Sequence, residues 1–517
     1  MSKKQPLKVL LIFGFNMMVG YAFLIALSQA YGSVGNWFPF MVFFCAAIAF
    51  AVGLAFAKLS NKIKGYGGSY LYVKKAFGPF WANLTGWFQY AQAPAVSLGV
   101  ISGIVWATQQ TVGNFIPHSF TKWTFLIAGI LYILVSSVLY FGITSTKITL
   151  IILWFLKWGV LIFSIILALA IFVIDFNTDG NFIHNIFNNG YLVPKGNRNL
   201  TDIVIGTSAF FFAFGGIEGI AAISDDVENP EKNVPKGLLI ILGAATIFYL
   251  VFYYIILGAL GSALAPSTDS SVNMINLIVK KLFGSAGVLA IVITSIFIVS
   301  QVANKLSGRL QYGWVNTRFI APLAVDGLLP LGLAKTNKYD QFKNAFWLDF
   351  IFTSILVLAY ILIAIFGPKS YGDNMSAMLQ VYTITAFVQY SLTIAASIKL
   401  AKFKPKNGEQ PLLKMKTWEV IYFVLAIIVM VVFLSWYVIA NIVNMSTDWA
   451  HNEGYVFQIG FFIFLIIAST LTYFLSKYLK WPEKAAAVLA RKEKIIPEVE
   501  YLEKKMSHSS VYEDDGV

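Results

Sequence analysis

Long stretches without a charged residue constrain this chain more than any other feature. No Asp, Glu, Lys or Arg occurs in residues 9–57, 76–121 or 420–447. A hydrocarbon core about 30 Å thick is crossed by roughly 20 apolar residues in a helix, so each stretch is long enough for one or two spans. Only 12% of all residues are charged, whereas soluble domains average about 25%. The chain is therefore predicted to be an all-α polytopic membrane protein.

The same length rule predicts about twelve membrane spans. They lie near residues 9–31, 37–58, 80–112, 123–143, 148–174, 202–223, 238–262, 286–305, 346–367, 375–398, 419–443 and 455–477. Two further stretches, 58–87 and 305–330, mix charge, glycine and aromatic residues, which favours interfacial or re-entrant helices. We predict a transmembrane domain over residues 1–479 and a cytoplasmic tail over residues 480–517.

The net charge of +13 is an orientation signal. Most of the 38 Lys and Arg residues fall in the N-terminus, in alternate loops and in the tail. This bias predicts that both termini are cytoplasmic. We therefore expect the lipid bilayer, and no nucleic acid, as the large-scale partner. The excess of lysine over arginine, with much Phe, Ile and Asn, indicates a bacterial source.

The residues that usually build catalytic or metal sites are sparse. Cys45 is the only cysteine, which excludes an intramolecular disulfide and a cysteine-based metal site. The four histidines are scattered over predicted loops and the tail: His118, His184, His451 and His508. We therefore expect no metal, no cofactor and no enzymatic activity.

The sixth predicted span contains an unusual weakness, in the stretch FFFAFGGIEG at residues 210–219. Each glycine costs roughly 1 kcal/mol in a helix interior, so the doublet Gly215–Gly216 is a candidate for unwinding. Unwound backbone is tolerated in a membrane where protein or a cavity satisfies it, although small residues also serve close helix packing. The first span has a similar weakness around Gly20. Interruptions at corresponding positions of two halves predict a transporter with inverted repeats and a midplane substrate site.

Lys157 lies inside the fifth predicted span, in the stretch TLIILWFLKWGVLIFSII. Apolar residues extend well beyond it on both sides, so a lysine that snorkels to the interface is a poor explanation. An ionisable residue within a membrane is a functional-site hypothesis by default. Lys157 is therefore a candidate for gaining and losing a proton during a transport cycle.

Several motifs resemble those of the amino acid–polyamine–organocation (APC) superfamily of permeases, over roughly residues 8–480. GYGGSYLYVKKAFGPFWANLTGW resembles the family's loop after helix two, and FFFAFGGIEG is similar to its broken helix six. DDVENPEKNVPKG resembles the loop that follows helix six, and NTRFIAPLAVDGLLP the segment after helix eight. The resemblance implies a 5+5 inverted repeat with broken helices 1 and 6, plus two extra helices. It also implies secondary transport by alternating access.

In some proton-coupled members of that superfamily, a lysine in helix five replaces a bound sodium ion. Lys157 matches that lysine by spacing, which implies a proton as the coupling ion, or exchange. One motif departs from the family. Members that bind amino acids usually have a Gly-Ser-Gly type sequence in helix one, where this chain has Val19-Gly20-Tyr21. Because of this departure, the sequence is also compatible with an amine as the substrate.

We predict a secondary active transporter of amino acids in the plasma membrane. A polyamine or amino acid/amine antiporter is the alternative, and a channel or receptor is disfavoured because no filter loop or sensory domain is visible. The predicted substrate-binding residues are Met18, Val19, Gly20, Tyr21, Phe214, Gly215, Gly216 and Ile217. Lys157 and Glu218 are the predicted proton-coupling residues. Gln89, Gln92 and Asn304 either line the cavity or make interhelical hydrogen bonds.

Overall fold

The computed structural model is almost entirely helical within the residues that it describes. These residues are 5–19, 34, 37–112, 121–178, 181–187, 200–223, 226–261, 274–283, 288–339, 341–366, 375–402, 411–447 and 453–490. Over this part of the chain there is no strand, and the only β-type pairings are two isolated bridges, Gln5 with Val227 and Thr336 with Phe342.

The described part contains seventeen α-helices. They are α1 (Leu7–Met18), α2 (Phe38–Lys62), α3 (Ser69–Phe77), α4 (Pro79–Val112), α5 (Thr121–Ser137), α6 (Gly142–Thr178), α7 (Asn181–Phe187), α8 (Leu200–Phe211), α9 (Ile217–Ala222), α10 (Pro230–Leu260), α11 (Met274–Phe283), α12 (Val288–Val325), α13 (Lys343–Phe366), α14 (Met375–Lys402), α15 (Thr417–Thr447), α16 (Glu453–Tyr478) and α17 (Trp481–Ala490). Short 3₁₀ helices cover Val138–Phe141, Phe212–Phe214 and Leu331–Ala334.

Twelve described segments, each a helix or a pair of helices, overlap the twelve predicted spans. Among the described residues, eight helices qualify as spans by length and apolar composition: α2, α5, α6, α10, α13, α14, α15 and α16. The other four segments are α1, the broken pair α8–α9, and the long helices α4 and α12, which carry more polar residues. The predicted fold class, an all-α polytopic membrane protein, is confirmed.

The surface of the bundle is apolar and much of its polar content is inside. Phe40, Phe155 and Phe366 are exposed on outer helix faces, as expected where lipid tails replace water. The most extensive helix packing joins α12 to α4 and α6, α10 to α2, and α14 to α4. The short helices α1 and α9 lie within this frame and contact each other. The interrupted helices are therefore held at the centre of the bundle.

The prediction that a span ends at Lys305, with an interfacial stretch over 305–330, is wrong. Helix α12 runs without interruption from Val288 to Val325. Lys305 is only 8% exposed and Arg309 is fully buried. Arg309 is tolerated because its Nη2 lies 2.9 Å from a carboxylate oxygen of Asp349, on α13. A charge with a buried partner does not have to end a membrane helix.

Candidate functional site

The sixth membrane segment is broken at its glycine doublet. Helix α8 passes into a 3₁₀ turn over Phe212–Phe214, and Gly215 is then extended, with φ −63° and ψ 159°. Gly216 has φ +105°, a conformation that is readily available only to glycine. Helix α9 begins at Ile217. The break lies at the two residues where the sequence predicts it.

The carboxylate of Glu218 occupies the start of α9. It is 1% exposed and accepts the backbone N–H of Gly216, at 3.2 Å to each oxygen. It also accepts the hydroxyl of Tyr382, at 2.9 Å, and the hydroxyl of Tyr390. Tyr312 in turn donates to the Tyr382 hydroxyl, at 3.0 Å. The carboxylate therefore caps the positive end of its own half-helix and fixes two tyrosines of α14 beside it.

The first membrane segment stops at the corresponding place. Helix α1 ends at Met18, and Val19, which is fully buried, no longer has helical backbone angles. The predicted residues Gly20 and Tyr21 lie outside the described residues. The hydroxyl of Tyr249 lies 3.1 Å from the Met18 carbonyl oxygen and also hydrogen-bonds the carbonyl of Ala213. This tyrosine of α10 therefore links the end of α1 to the break in the sixth segment.

Lys157 is directed at the last turn of α1. It is 1% exposed, and its Nζ donates to both oxygens of Asn16, at 2.9 Å to the backbone carbonyl and 2.6 Å to Oδ1. The Asn16 amide donates to Ser307 Oγ, at 3.1 Å, and Ser300 Oγ donates to the Lys157 carbonyl, at 3.3 Å. A cation beside the C-terminal end of a helix is favoured by the helix dipole. Lys157 thus ties α6 to α1, and α12 is bonded to both.

A central cavity of about 80 Å³ lies against the end of α1 and the break in the sixth segment. Of the predicted binding residues, Met18 and Gly215 line it. Phe214 instead packs against the ring of Tyr249, at 5.3 Å between centroids. The remaining described members of the predicted set, Val19, Gly216 and Ile217, are buried beside the cavity and are not part of its lining.

The three residues predicted either to line the cavity or to make interhelical hydrogen bonds differ in their positions. Asn304 lines the central cavity. Gln92 instead donates an interhelical hydrogen bond to Gln389, at 2.6 Å. Gln89 is buried, and neither of its amide atoms has a hydrogen-bond partner among the described residues. Gln92 therefore makes an interhelical hydrogen bond, as the second alternative predicts, and Asn304 lines the cavity, as the first predicts.

A second, larger cavity of about 340 Å³ shares part of its lining with the central cavity. It lies between α1, α6 and α12, and its lining is mainly apolar. Gln5, Lys147 and Asp226 also belong to its lining. Asn16 and Gln311 line both cavities. The two side chains therefore form part of the wall between the cavities, and Lys157 holds one of them in place.

A cluster of charged and polar groups lies at the segment that follows α9. Asp226 accepts a hydrogen bond from the Tyr66 hydroxyl, at 2.9 Å, and lies 3.4 Å from Nε of Arg318. The backbone N–H of Gln5 donates to the Asp226 carbonyl, at 2.8 Å. Arg318 also stacks on the ring of Trp314, 3.5 Å from its centroid. These contacts join the N-terminal segment, the segment after α9, and α12 at this end of the bundle.

Sequence reasoning missed several residues that the fold brings to the site. The tyrosines bonded around Glu218, the end of α1 and the break in the sixth segment come from α10, α12 and α14, and tyrosine is too common in this chain to mark them. Lys305 lines the central cavity, although the predicted span ends at this residue. The signal available was its position one helical turn before Arg309, which places both on one face of a helix.

In the described part of the chain, the sixth membrane segment is broken and α1 ends beside a central cavity, which is the architecture of a membrane transporter with discontinuous helices. The chain belongs to the amino acid permease family, whose sequence profile matches residues 7–464. The resemblance to the APC superfamily is thereby confirmed.

Relatives span most of the chain at low identity. The uncharacterized protein MG225 of Mycoplasma genitalium is 27% identical over 90% of this chain and 95% of its own length. The branched-chain amino acid permease BcaP of Bacillus subtilis is 23% identical over 80% of this chain and 86% of its own. The serine/threonine exchanger SteT of Bacillus subtilis is 24% identical over 66% of this chain and 71% of its own.

Proposed function

We propose that this permease carries amino acids across the plasma membrane by alternating access, with substrate movement coupled to a proton on Lys157. The observation that carries the coupling is the buried Lys157 ammonium bonded to both oxygens of Asn16, at the end of α1. The names of BcaP and SteT support an amino acid substrate. The distribution of Lys and Arg supports a cytoplasmic location for both termini.

Protonation of Lys157 controls the attachment of α1 in this scheme. A protonated ammonium supplies the hydrogen-bond donors that the Asn16 oxygens accept, and its charge complements the negative end of the half-helix. A neutral amine loses the charge and one donor, which weakens the attachment. Proton release therefore favours a state in which α1 is free to move away from α6 and α12.

Movement of α1 is the step that changes access in this mechanism. Asn16 and Gln311 line both cavities, and Gln311 donates to the Phe13 carbonyl of α1, at 3.1 Å. Displacement of α1 would withdraw Asn16 from this wall, separate Gln311 from the Phe13 carbonyl, and join the central cavity to the larger one. The contacts of Asp226 with Tyr66 and Arg318 would have to separate in the same step.

The substrate is placed at the two breaks, with Met18, Val19, Gly20 and Tyr21 on one side and Phe214, Gly215, Gly216 and Ile217 on the other. Backbone groups at such interruptions bind charged ends of a zwitterion. Glu218, held by Gly216 and Tyr382, keeps the α9 break in shape and is the second candidate to exchange a proton.

Amino acid exchange is the second candidate function, because SteT is named an exchanger. The test for both is uptake into proteoliposomes of a panel of radiolabelled amino acids and of putrescine, with and without an inward proton gradient. Stimulation of amino acid uptake by the gradient is the expected result. Exchange that does not respond to the gradient would favour antiport over proton coupling. Transport of putrescine alone would overturn the assignment of an amino acid substrate.

A further inference from the structure

Lys305 is a second buried lysine, and it lines the central cavity. Its side chain crosses α4 at a glycine: a Cβ built on Gly103 would lie 2.4 Å from Lys305 Cε and 2.9 Å from Nζ. One turn earlier on the same face of α4, Gly99 also lines the cavity, and a Cβ there would meet no atom within 4 Å. The absence of a side chain at Gly103 therefore admits the lysine, and open space adjoins it.

The positive charge of Lys305 has no partner among the described residues. The other deeply buried cations of the bundle are bonded: Lys157 to Asn16, Arg309 to Asp349 and Arg318 to Asp226. No ion pair or hydrogen bond of the described chain satisfies Lys305. A buried charge without a counter-charge is strongly unfavourable within a membrane protein. Its position in a cavity wall indicates that a ligand supplies the missing charge.

The surroundings of Lys305 offer further free polar groups. Gln301 precedes it by one turn on the same face of α12 and is 1% exposed. Neither amide atom of Gln301 has a hydrogen-bond partner within the described chain. Asn304 adjoins it and lines the cavity. A cation flanked by amide groups is suited to a planar anion that accepts several hydrogen bonds, which is the chemistry of a carboxylate.

We infer that the Lys305 ammonium binds a carboxylate of the transported substrate in the central cavity. This inference rests on the proposed function and narrows its substrate class. A polyamine carries only positive charge and is repelled by Lys305. The carboxylate belongs either to the amino acid backbone or to an acidic side chain.

Counterflow in proteoliposomes tests this inference with three variants. Lys305→Gln removes the charge, Lys305→Arg keeps it, and Lys122→Gln removes the charge of an exposed lysine on α5 as the matched control. The competitors are the best amino acid substrate of the wild type, its decarboxylated amine, and L-aspartate. We expect Lys305→Gln to weaken amino acid competition about 10- to 100-fold. Lys305→Arg should stay near the wild type, the control should be unchanged, and the amine should not compete.

The pattern among competitors identifies the carboxylate. An equal loss for the best substrate and for aspartate assigns Lys305 to the backbone carboxylate. Preference of the wild type for aspartate, lost selectively in Lys305→Gln, assigns it to the side-chain carboxylate. Unchanged competition in Lys305→Gln, or an amine that competes as well as its amino acid, would overturn the inference alone. Absence of any amino acid counterflow in the wild type would overturn the proposed function as well.

Thermal unfolding in detergent gives an independent readout that does not depend on transport. Removing an unpaired buried charge relieves its desolvation cost, so Lys305→Gln should unfold at the wild-type temperature or above it when no substrate is present. Ligand that binds only the native state raises the unfolding temperature. The best substrate should therefore stabilise the wild type and Lys305→Arg, and should lose this effect in Lys305→Gln. Equal stabilisation of all three would contradict a role in binding.

Discussion

Replacement of Gly215 by alanine tests whether the break in the sixth segment is a packed structural element. The backbone of Gly215, with φ −63° and ψ 159°, is open to any residue, so the effect of the added methyl group is steric. A Cβ at this position would lie 2.3 Å from the Tyr382 hydroxyl oxygen, whereas ordinary van der Waals contact begins at 3.4 Å. The hydroxyl therefore has to move by about 1 Å.

This movement of the hydroxyl breaks a hydrogen bond that stabilises the arrangement around Glu218. The Tyr382 hydroxyl donates to Glu218 at 2.9 Å, and a shift of this size takes it out of hydrogen-bonding range. Overpacking costs about 1–3 kcal/mol, and a hydrogen bond to a charged group contributes about 1.5–3 kcal/mol. Together they lower the free energy of unfolding by roughly 2.5–6 kcal/mol. We therefore expect Gly215→Ala to lose both stability and counterflow.

Gly99→Ala is the matched control, because Gly99 lines the same cavity and its added Cβ meets nothing within 4 Å. Its free energy of unfolding should equal that of the wild type or exceed it by up to about 1 kcal/mol, because alanine has a higher helix propensity than glycine. The assay is thermal unfolding of the purified protein in detergent, together with counterflow. Gly215→Ala should cost little in a Tyr382→Ala background, where the obstructing ring is absent. A single variant Gly215→Ala as stable and active as Gly99→Ala would refute the reasoning.

Three further substitutions test the polar contacts of the bundle. Glu218→Gln turns an amide donor toward one of two tyrosine hydroxyls and should lower the free energy of unfolding by about 1–3 kcal/mol; an unchanged unfolding temperature would contradict the bonding described. Arg309→Met leaves Asp349 buried without its cation and should cost about 3–5 kcal/mol, most of it recovered in the double variant with Asp349→Asn; equal stability of single and double variants would exclude this pairing. Arg318→Ala removes the contact with Asp226 at this end of the bundle. A cysteine introduced by Gln311→Cys should therefore react faster with a soluble maleimide in the Arg318→Ala background than in the protein that keeps Arg318. Equal rates would show that the cluster around Asp226 and Arg318 is not a barrier to solvent.

The sequence predicts those features of the fold that depend on local composition. A helix that crosses a bilayer needs a fixed length of apolar residues, so charge-free stretches place most of the spans. The break at Gly215 and Gly216 is also local, because glycine pairs weaken a helix wherever they occur. The end of α1 at Met18 lies beside the interruption predicted around Gly20. The roles of these residues in substrate binding stay predictions.

Contacts between distant segments could not be predicted in this way. The rule that charges end membrane spans misplaces the end of α12, because the partner of Arg309 is Asp349 on another helix. The hydroxyls bonded to Glu218 belong to Tyr382 and Tyr390, more than 160 positions away. Nothing in the local sequence separates these tyrosines from others in the chain. Lys305 was hidden by the same error, because the predicted span ends at this residue.

Proton movement itself is the most direct test of the coupling role of Lys157. A pH-sensitive dye trapped in proteoliposomes reports acidification of the lumen when the best amino acid substrate is added outside, without an imposed gradient. The wild type should acidify the lumen as substrate enters. Lys157→Met should still catalyse counterflow, which shows that it is folded, and should produce no acidification. Equal acidification by the wild type and by Lys157→Met would contradict the coupling mechanism.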